Sequence, residues 1–388
     1  MVYFGIDQLL LSNPSWKHQR IALVTNEAAT TYNGIASRKA LQDIGFNLVK
    51  LFSPEHGLSA KGVDGEAIHD GIDELTDLPI ISLYGTKLAP TAIDLSNVDL
   101  IIFDIPDVGV RFYTYLWTLT YVMESCALNK KKLVVLDRPN PLSGNMQLAE
   151  GPFLDDLSSS FIGRWSIPIR HSCTLGELAR YFNATQHLQV DLEIIACSNW
   201  KRDFFEPDWK LPFVGTSPAL QSYESILLYP ALCFLEATNI SEGRGTEEAF
   251  QIIGAPWLKH TAISMQLNNL LAEEIYSEPI AFLPVEAKYV GEQCNGIRIK
   301  VKNYKEFKPV YMGLLLLKLL KEMHPNNFKW NNYKTNVNPL GEKHLDKLIG
   351  IANSEALFEL PFPTFLKTIT KLTSPSNWES TIDNFLLY

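Results

Sequence analysis

A chain of 388 residues is too long for one ordinary compact core and long enough for two α/β domains. Hydrophobic residues make up 46% and charged residues 20%, the balance of a globular protein rather than a disordered one. The net charge of −9 argues against nucleic acid or an anionic membrane as main partner, because phosphate binding wants a local excess of Lys and Arg; a small anionic ligand needs only one or two placed arginines.

The five cysteines, Cys126, Cys173, Cys197, Cys233 and Cys294, are odd in number and show no CxxC spacing. Reduced, buried thiols are therefore expected rather than a disulfide framework or a zinc ribbon. The opening MVYFGIDQLLLSNPSW carries neither a basic leader region nor a small-residue cleavage site. Read as it stands, the chain is expected in the cytoplasm, and in the periplasm or outside the cell if a leader was trimmed. The most apolar segment, Tyr311 to Leu320, is too short for a bilayer and reads as a core helix, so no integral membrane segment is expected.

In chain order, five apolar β-type runs each end abruptly in polar or turn residues: IALVTNEAA from Ile21, NLVKLFSPEHG from Asn47, PIISLYG from Pro79, DLIIFDIPDVGVR from Asp99 and KLVVLDRPNP from Lys132. Near-continuous Ile, Leu, Val and Phe predicts strands covered on both faces, as in a parallel sheet between helices. Helices are predicted from Thr114 to Ala127 and from Thr174, where Thr174 and Glu177 form a capping box. The first part is therefore a doubly wound α/β domain. Between Trp200 and Tyr223 the composition shifts to Pro, Trp and polar residues, which places a boundary there, with domains 1–222 and 223–388. The second, smaller domain is α/β or α+β. It runs through LLYPALCFLEATN, FQIIGAPW, a helix near Thr261–Ala272, strands near Ile280 and Gly296, and a long helix after Pro309.

Ligands of open parallel sheets bind beyond the carboxyl ends of the strands. The polar residues ending these runs should then share one rim: Thr25 and Asn26, Glu55 and His56, Tyr84, Asp104 with Asp107 and Arg111, and Asp137 with Arg138 and Asn140. In Ser53-Pro54-Glu55-His56-Gly57, Pro and Gly bracket a carboxylate that could serve as a general acid; the plain alternative is a turn with a solvated Glu. Around Asp104, Asp107, Arg111 and Tyr113, the aspartates could orient sugar hydroxyls. Arg111 could take a substrate carboxylate or lock the aspartates, and Asp137 with Arg138 could be a structural pair. In the second part, Glu236, Asn239, Glu242 and Arg244 cluster, with glycines on both sides of Arg244 that suit an anion-binding loop. That loop is not a nucleotide fingerprint, for Glu248 stands where the last glycine of GxGxxG would be. No metal-ligand spacing, GxSxG elbow or Walker lysine is present, so neither a metal nor a cofactor is expected.

These segments, in this order, resemble a bacterial family of exo-acting β-N-acetylmuramidases, formerly a domain of unknown function. The resemblance rests on LVTNEAA, FSPEHGL, SLYG, FDIPDVGVRFYTY, VVLDRPNPLSG, EGP, CTLGELA, TSPAL, LLYPALCFLEATNISEGRGT and GAPW, nearly end to end. It implies a Rossmann-like N-terminal domain, a smaller C-terminal domain and a cleft between them. It also implies release of N-acetylmuramic acid from the non-reducing end of peptidoglycan fragments, with Glu55 as the catalytic carboxylate. The substrate-binding residues expected are Asn26, His56, Tyr84, Asp104, Asp107, Arg111, Tyr113, Asp137, Arg138, Glu236, Asn239, Glu242 and Arg244, with a peptidoglycan-derived glycan as partner and no obligate protein partner. Pro106 stands where the family usually has Gln, which removes one amide from the rim, and Ser172-Cys173 replaces a common Gly-Met. The rival reading is a non-catalytic cell-wall sugar binder on the same fold, which would need the arginines and aromatics but not Glu55; a dinucleotide-dependent oxidoreductase fails for want of the fingerprint.

Overall fold

In the computed structural model, which describes residues 1–63 and 65–388, all five apolar runs become strands of one sheet. They are β1 (Ile21–Thr25), β2 (Leu48–Ser53), β4 (Pro79–Ser82), β5 (Leu100–Asp104) and β6 (Lys132–Leu136). Two further strands complete it, β3 (Gly71–Ile72) and β7 (Leu192–Ile195), in the order β3-β4-β2-β1-β5-β6-β7. Every neighbouring pair is parallel except β3 with β4.

Successive strand residues point to opposite faces, and both faces are covered. Ala22, Val24, Phe52, Ile101, Phe103, Leu133 and Val135 pack with Trp117 and Leu116 of α3 (Tyr115–Leu128) and Leu178 of α4 (Leu175–Thr185). On the other face Ile21, Leu23, Leu51, Leu100, Ile102, Val134 and Leu136 pack with Ile6 and Leu9 of α1 (Gly5–Leu10) and Leu41 of α2 (Ser37–Asp43). The predicted capping box forms: Thr174 Oγ1 accepts from Glu177 N at 3.2 Å, and Glu177 Oε2 accepts from Thr174 N at 3.0 Å.

The second part begins with α5 (Tyr223–Leu232), capped by Ser222. Pro230 sits inside this helix and has no N–H to continue the ladder; after Leu232 the chain tightens into a 3₁₀ turn over Cys233–Ala237. A three-stranded antiparallel sheet follows, β8 (Ile252–Ala255), β10 (Cys294–Val301) and β9 (Ile275–Phe282) in that spatial order, with α6 (His260–Leu270) against it. The apolar segment from Tyr311 lies within α7 (Pro309–Met323), whose leucines are buried against α5; no helix among the described residues is long and apolar enough to cross a membrane. Three short helices close the chain, α8 (His344–Ile349), α9 (Phe362–Leu372) and α10 (Trp378–Ile382). One apolar core runs without interruption from Val24 through Phe234 and Leu316 to Phe365. All five cysteines are buried and unpaired.

Candidate active site

The register of the sheet aligns Thr25 of β1 with Asp104 of β5, and Ser53 of β2 with Ser82 of β4, so the runs do end on one rim. The side chains on that rim then divide among three environments.

The first is a narrow cleft between the sheet rim and the second part of the chain. Its walls combine Glu55, His56 and Tyr84 from the sheet rim, Tyr113 and Thr114 ahead of α3, Phe161, Ser217 and Ala219, Glu236 from the 3₁₀ turn, Arg244, and Tyr333 and His344. Glu55 is 6% exposed. The turn holding it is closed by Gly57 N donating to Pro54 O at 3.0 Å, with His56 in the left-handed region (φ 65°) and its Nδ1 2.8 Å from Gly62 O. Thr114 is the N-cap of α3, yet its hydroxyl makes no capping bond; it donates to Glu55 Oε2 at 2.7 Å. A cap of this type contributes about 1 kcal/mol to a helix, so the hydroxyl serves the carboxylate instead of the helix. Burial pushes the hydroxyls of Tyr113 and Tyr115 well above the usual tyrosine range, so these two groups stay neutral.

Across the cleft, Glu236 Oε1 accepts from Arg244 Nη2 at 2.8 Å and Oε2 lies 3.1 Å from His344 Nε2. Burial pushes this carboxyl up, but the His344 hydrogen bond and the Arg244 charge outweigh it and hold the group well below the usual range, ionised. Arg244 Nε is also 3.2 Å from Glu242 Oε1, and Lys288 Nζ lies 2.9 Å from Glu242 Oε2. The two glycines around Arg244 have φ of 81° and 77°. A Cβ on Gly245 would stand 2.4 Å from Glu286 N, so the glycine lets the β9–β10 connection pack directly on the loop.

The second environment is a separate cavity lined by Asp107, Arg138 and Pro106 together with Phe4, Trp209 and Phe213. Pro106 thus lies in this wall and not in that of the Glu55 cleft. Asp107 Oδ2 accepts from Gly109 N at 2.8 Å and lies 3.5 Å from His171 Nε2.

The third is the protein interior, and here several expected sugar ligands are spoken for. Asp104, with no exposure, takes both Arg138 Nε at 2.6 Å and Nη2 at 3.0 Å. The structural Asp–Arg pair of this rim is therefore 104 with 138, not 137 with 138. Asp137 accepts from Gly176 N at 2.8 Å and from the Tyr388 hydroxyl at 2.7 Å, and burial pushes its carboxyl up to about 6. Arg111 neither locks the aspartates nor lines the cleft. It is fully buried and donates to four carbonyls: Pro152 O (2.7 Å) and Ile167 O (2.9 Å) from Nη1, Leu348 O (3.1 Å) and Ile349 O (2.8 Å) from Nη2. Without a carboxylate beside it, burial lowers its guanidinium to about 9. Asn26 is buried and accepts from Ala28 N at 3.1 Å. Asn239 braces the chain near Asn327 and Lys329, and Glu242 stands behind Arg244. Expected residues brought together in the cleft are Glu55, His56, Tyr84, Tyr113, Glu236 and Arg244.

Sequence reasoning missed Thr114, Phe161, Tyr333 and His344. Thr114 lay within a motif already read; the other three sit in no motif, and His344 meets Glu236 across 108 residues of chain. No group of three or more His, Cys, Asp and Glu side chains suited to a metal is present among the described residues.

Comparison with known proteins agrees with this architecture. Residues 21–224 match the family described as exo-β-N-acetylmuramidase NamZ, N-terminal, and residues 227–388 match its C-terminal counterpart. The chain is 40% identical over 334 residues to the peptidoglycan β-N-acetylmuramidase NamZ of Bacillus subtilis (strain 168), covering 85% of this chain and 80% of that protein. Crystal structures of two DUF1343 family proteins from Bacteroides fragilis NCTC 9343 share the fold, with TM-scores of 0.86 and 0.72 at 25% and 26% identity, over 100% of this chain and 99% of each. The chain belongs to the exo-β-N-acetylmuramidase NamZ family.

Proposed function

We propose that the Glu55 cleft hydrolyses the glycosidic bond of an N-acetylmuramic acid residue at the non-reducing end of peptidoglycan fragments. The observation that carries this reading is one cleft holding two buried carboxylates in different surroundings. Glu55 is met by a neutral hydroxyl, and Glu236 is held ionised by an arginine and a histidine. Such a difference separates the two tasks of a glycosidase, giving a proton to the leaving oxygen and stabilising positive charge on the sugar. Glu236 supplies the negative charge that the oxocarbenium-like transition state needs.

The lactyl ether distinguishes muramic acid from glucosamine and is anionic at neutral pH. Arg111 and Arg138 lie outside the cleft, and Arg244 is the arginine among the described residues lining it. It therefore takes the role of receiving the lactyl carboxylate, as a guanidinium already oriented by Glu236 and Glu242.

The test is hydrolysis of a chromogenic N-acetylmuraminide beside the matching N-acetylglucosaminide. Turnover of the first in large excess over the second is expected, and Glu55→Gln should abolish most of it. Binding of the muraminide without turnover would instead leave a sugar-binding protein.

A further inference from the structure

We propose that His344 is a positioning residue for this reaction: from the first turn of α8 it orients the Glu236 carboxylate in the cleft, while Arg111 at the far end of the same helix fixes where His344 stands. The inference rests on the muramidase reading given above and adds to it a residue and a route of support.

Glu236 is gripped at both oxygens by different groups, Oε1 by Arg244 and Oε2 by His344. With one grip, a carboxylate can rotate about its terminal torsion, which is broad; with two grips on separate chain segments it has one orientation. His344 itself is 6% exposed, and its ring is stacked on Tyr333 at 4.6 Å and 20°. The stack leaves Nε2 directed at the carboxylate.

A helix of six residues does not hold itself together, so α8 needs external anchors. Its last turn presents the carbonyls of Leu348 and Ile349, and both accept from Arg111 Nη2. A buried cation there satisfies orphan carbonyls and suits the negative end of the helix. The approach requires Gly350: its φ is 89°, and a Cβ at this position would lie 2.3 Å from Arg111 Nη2. Asp346 ties the helix to the following turn through Ser354 N at 2.8 Å and Ser354 Oγ at 2.6 Å. Arg111 in turn is fixed to Pro152 O and Ile167 O of the N-terminal part. The segment that carries Thr114 and reaches Glu55 thus also sets the helix that carries His344. In this way both carboxylates are placed from one reference point.

The experiment compares His344→Phe, which keeps a ring for Tyr333 but has no donor, with His344→Gln, whose amide can donate. Both are assayed on the chromogenic N-acetylmuraminide beside wild type, with thermal melting as a control. Phe should lower kcat about 10- to 100-fold, as expected for loss of a hydrogen bond to a charged group, with KM nearly unchanged. Gln should restore most of the rate. The acid limb of the kcat profile should also move to higher pH in the Phe variant, since a carboxylate that loses a donor is protonated more easily. Among the described residues, the titratable groups facing Glu236 are Arg244, His344, Tyr229 and Cys233, and burial pushes the last two well above their usual values, so they stay neutral across that range. If the Phe variant does not fold, His344→Asn, too short to reach Oε2, takes its place. A donorless variant with wild-type kcat and an unmoved acid limb overturns the proposal, as does a Gln variant as slow as Phe. A wild-type protein inactive on the muraminide would instead overturn the muramidase reading, and this inference with it.

Discussion

Thr114 and Glu55 are joined by a 2.7 Å hydrogen bond that links the start of α3 to the turn after β2. Because the hydroxyl makes no cap of its own helix, removing it should cost activity more than stability. Thr114→Val is expected to lower kcat on the muraminide about 10-fold, the scale of one hydrogen bond of 1.4 kcal/mol, with a melting temperature close to wild type. Thr114→Ser should be nearly normal. A valine variant that melts early while keeping full kcat would show that the bond merely braces the fold.

Glu55→Gln keeps an oxygen for the Thr114 hydroxyl and removes the transferable proton. Turnover should fall about 10²-fold or more, most visibly on substrates with poor leaving groups, and the far-ultraviolet spectrum should not change. Unaltered turnover on such a substrate would exclude Glu55 as the acid.

Arg111 serves four carbonyls, each of which would be stranded in the interior without it. An unsatisfied buried acceptor costs about 1–3 kcal/mol, so Arg111→Met should destabilise by at least roughly 3 kcal/mol. A urea midpoint lowered by less than a few tenths molar would contradict this.

Two buried carboxyls make stability depend on pH. Burial pushes Asp137 up to about 6, and pushes Glu150 up to about 7 against the opposing pull of the Tyr311 and Val310 amides. Both folded values exceed the ordinary ones of 3.8 and 4.5. Their stabilising contribution is therefore fully present below those ordinary values and is lost as pH rises through about 6 and 7. Stability should decline between about pH 3.8 and 7, by an amount on the order of 3 kcal/mol for each group at most. Asp137→Asn retains an acceptor for Gly176 N and should flatten part of this slope. Urea midpoints at several pH values decide it, and an unchanged slope in the variant would refute the assignment.

Arg244→Ala should depress kcat/KM for muraminides about 10- to 150-fold, the scale of a charged hydrogen bond of 1.5–3 kcal/mol. Residual activity on glucosaminides should fall much less. Arg244→Lys should recover part, since a point charge lacks the planar fork. Were the guanidinium merely holding Glu236 and Glu242 in place, both activities would fall together and their ratio would stay constant.

The sheet was legible because burial on both faces leaves a continuous apolar signature in β1, β2, β5 and β6, and β4, though only half-buried, keeps an uninterrupted Pro-Ile-Ile run. β7 was not, because at the half-buried sheet edge its run Leu192–Ile195 is interrupted by Glu193, and β3 is a two-residue pairing. Glu55 stood out because a rigid turn after a buried strand is a local pattern. Asp104, Arg111 and Arg138 were read as sugar ligands because sequence reports the type of a rim residue and not its partner. Asp104 meets Arg138, while Arg111 meets carbonyls up to 238 residues away. Nothing local marks such pairings. The same limit hid His344, whose value comes entirely from Glu236 and Tyr333.

The five unpaired cysteines turn the protein into its own clock. Burial pushes the thiols of Cys126 and Cys294 up to about 12 and about 11, and those of Cys173, Cys197 and Cys233 well above the usual range, so almost no reactive thiolate exists in the folded state. Alkylation must then wait for the surrounding structure to open. Three of these sulfurs lie before α5 and two lie after its start, on either side of the stretch where the two family matches meet. Mass spectra taken during slow labelling would therefore record whether the halves open as one unit or in sequence. Molecules carrying either no label or all five would signify joint opening, and a population with three or two would reveal which half yields first.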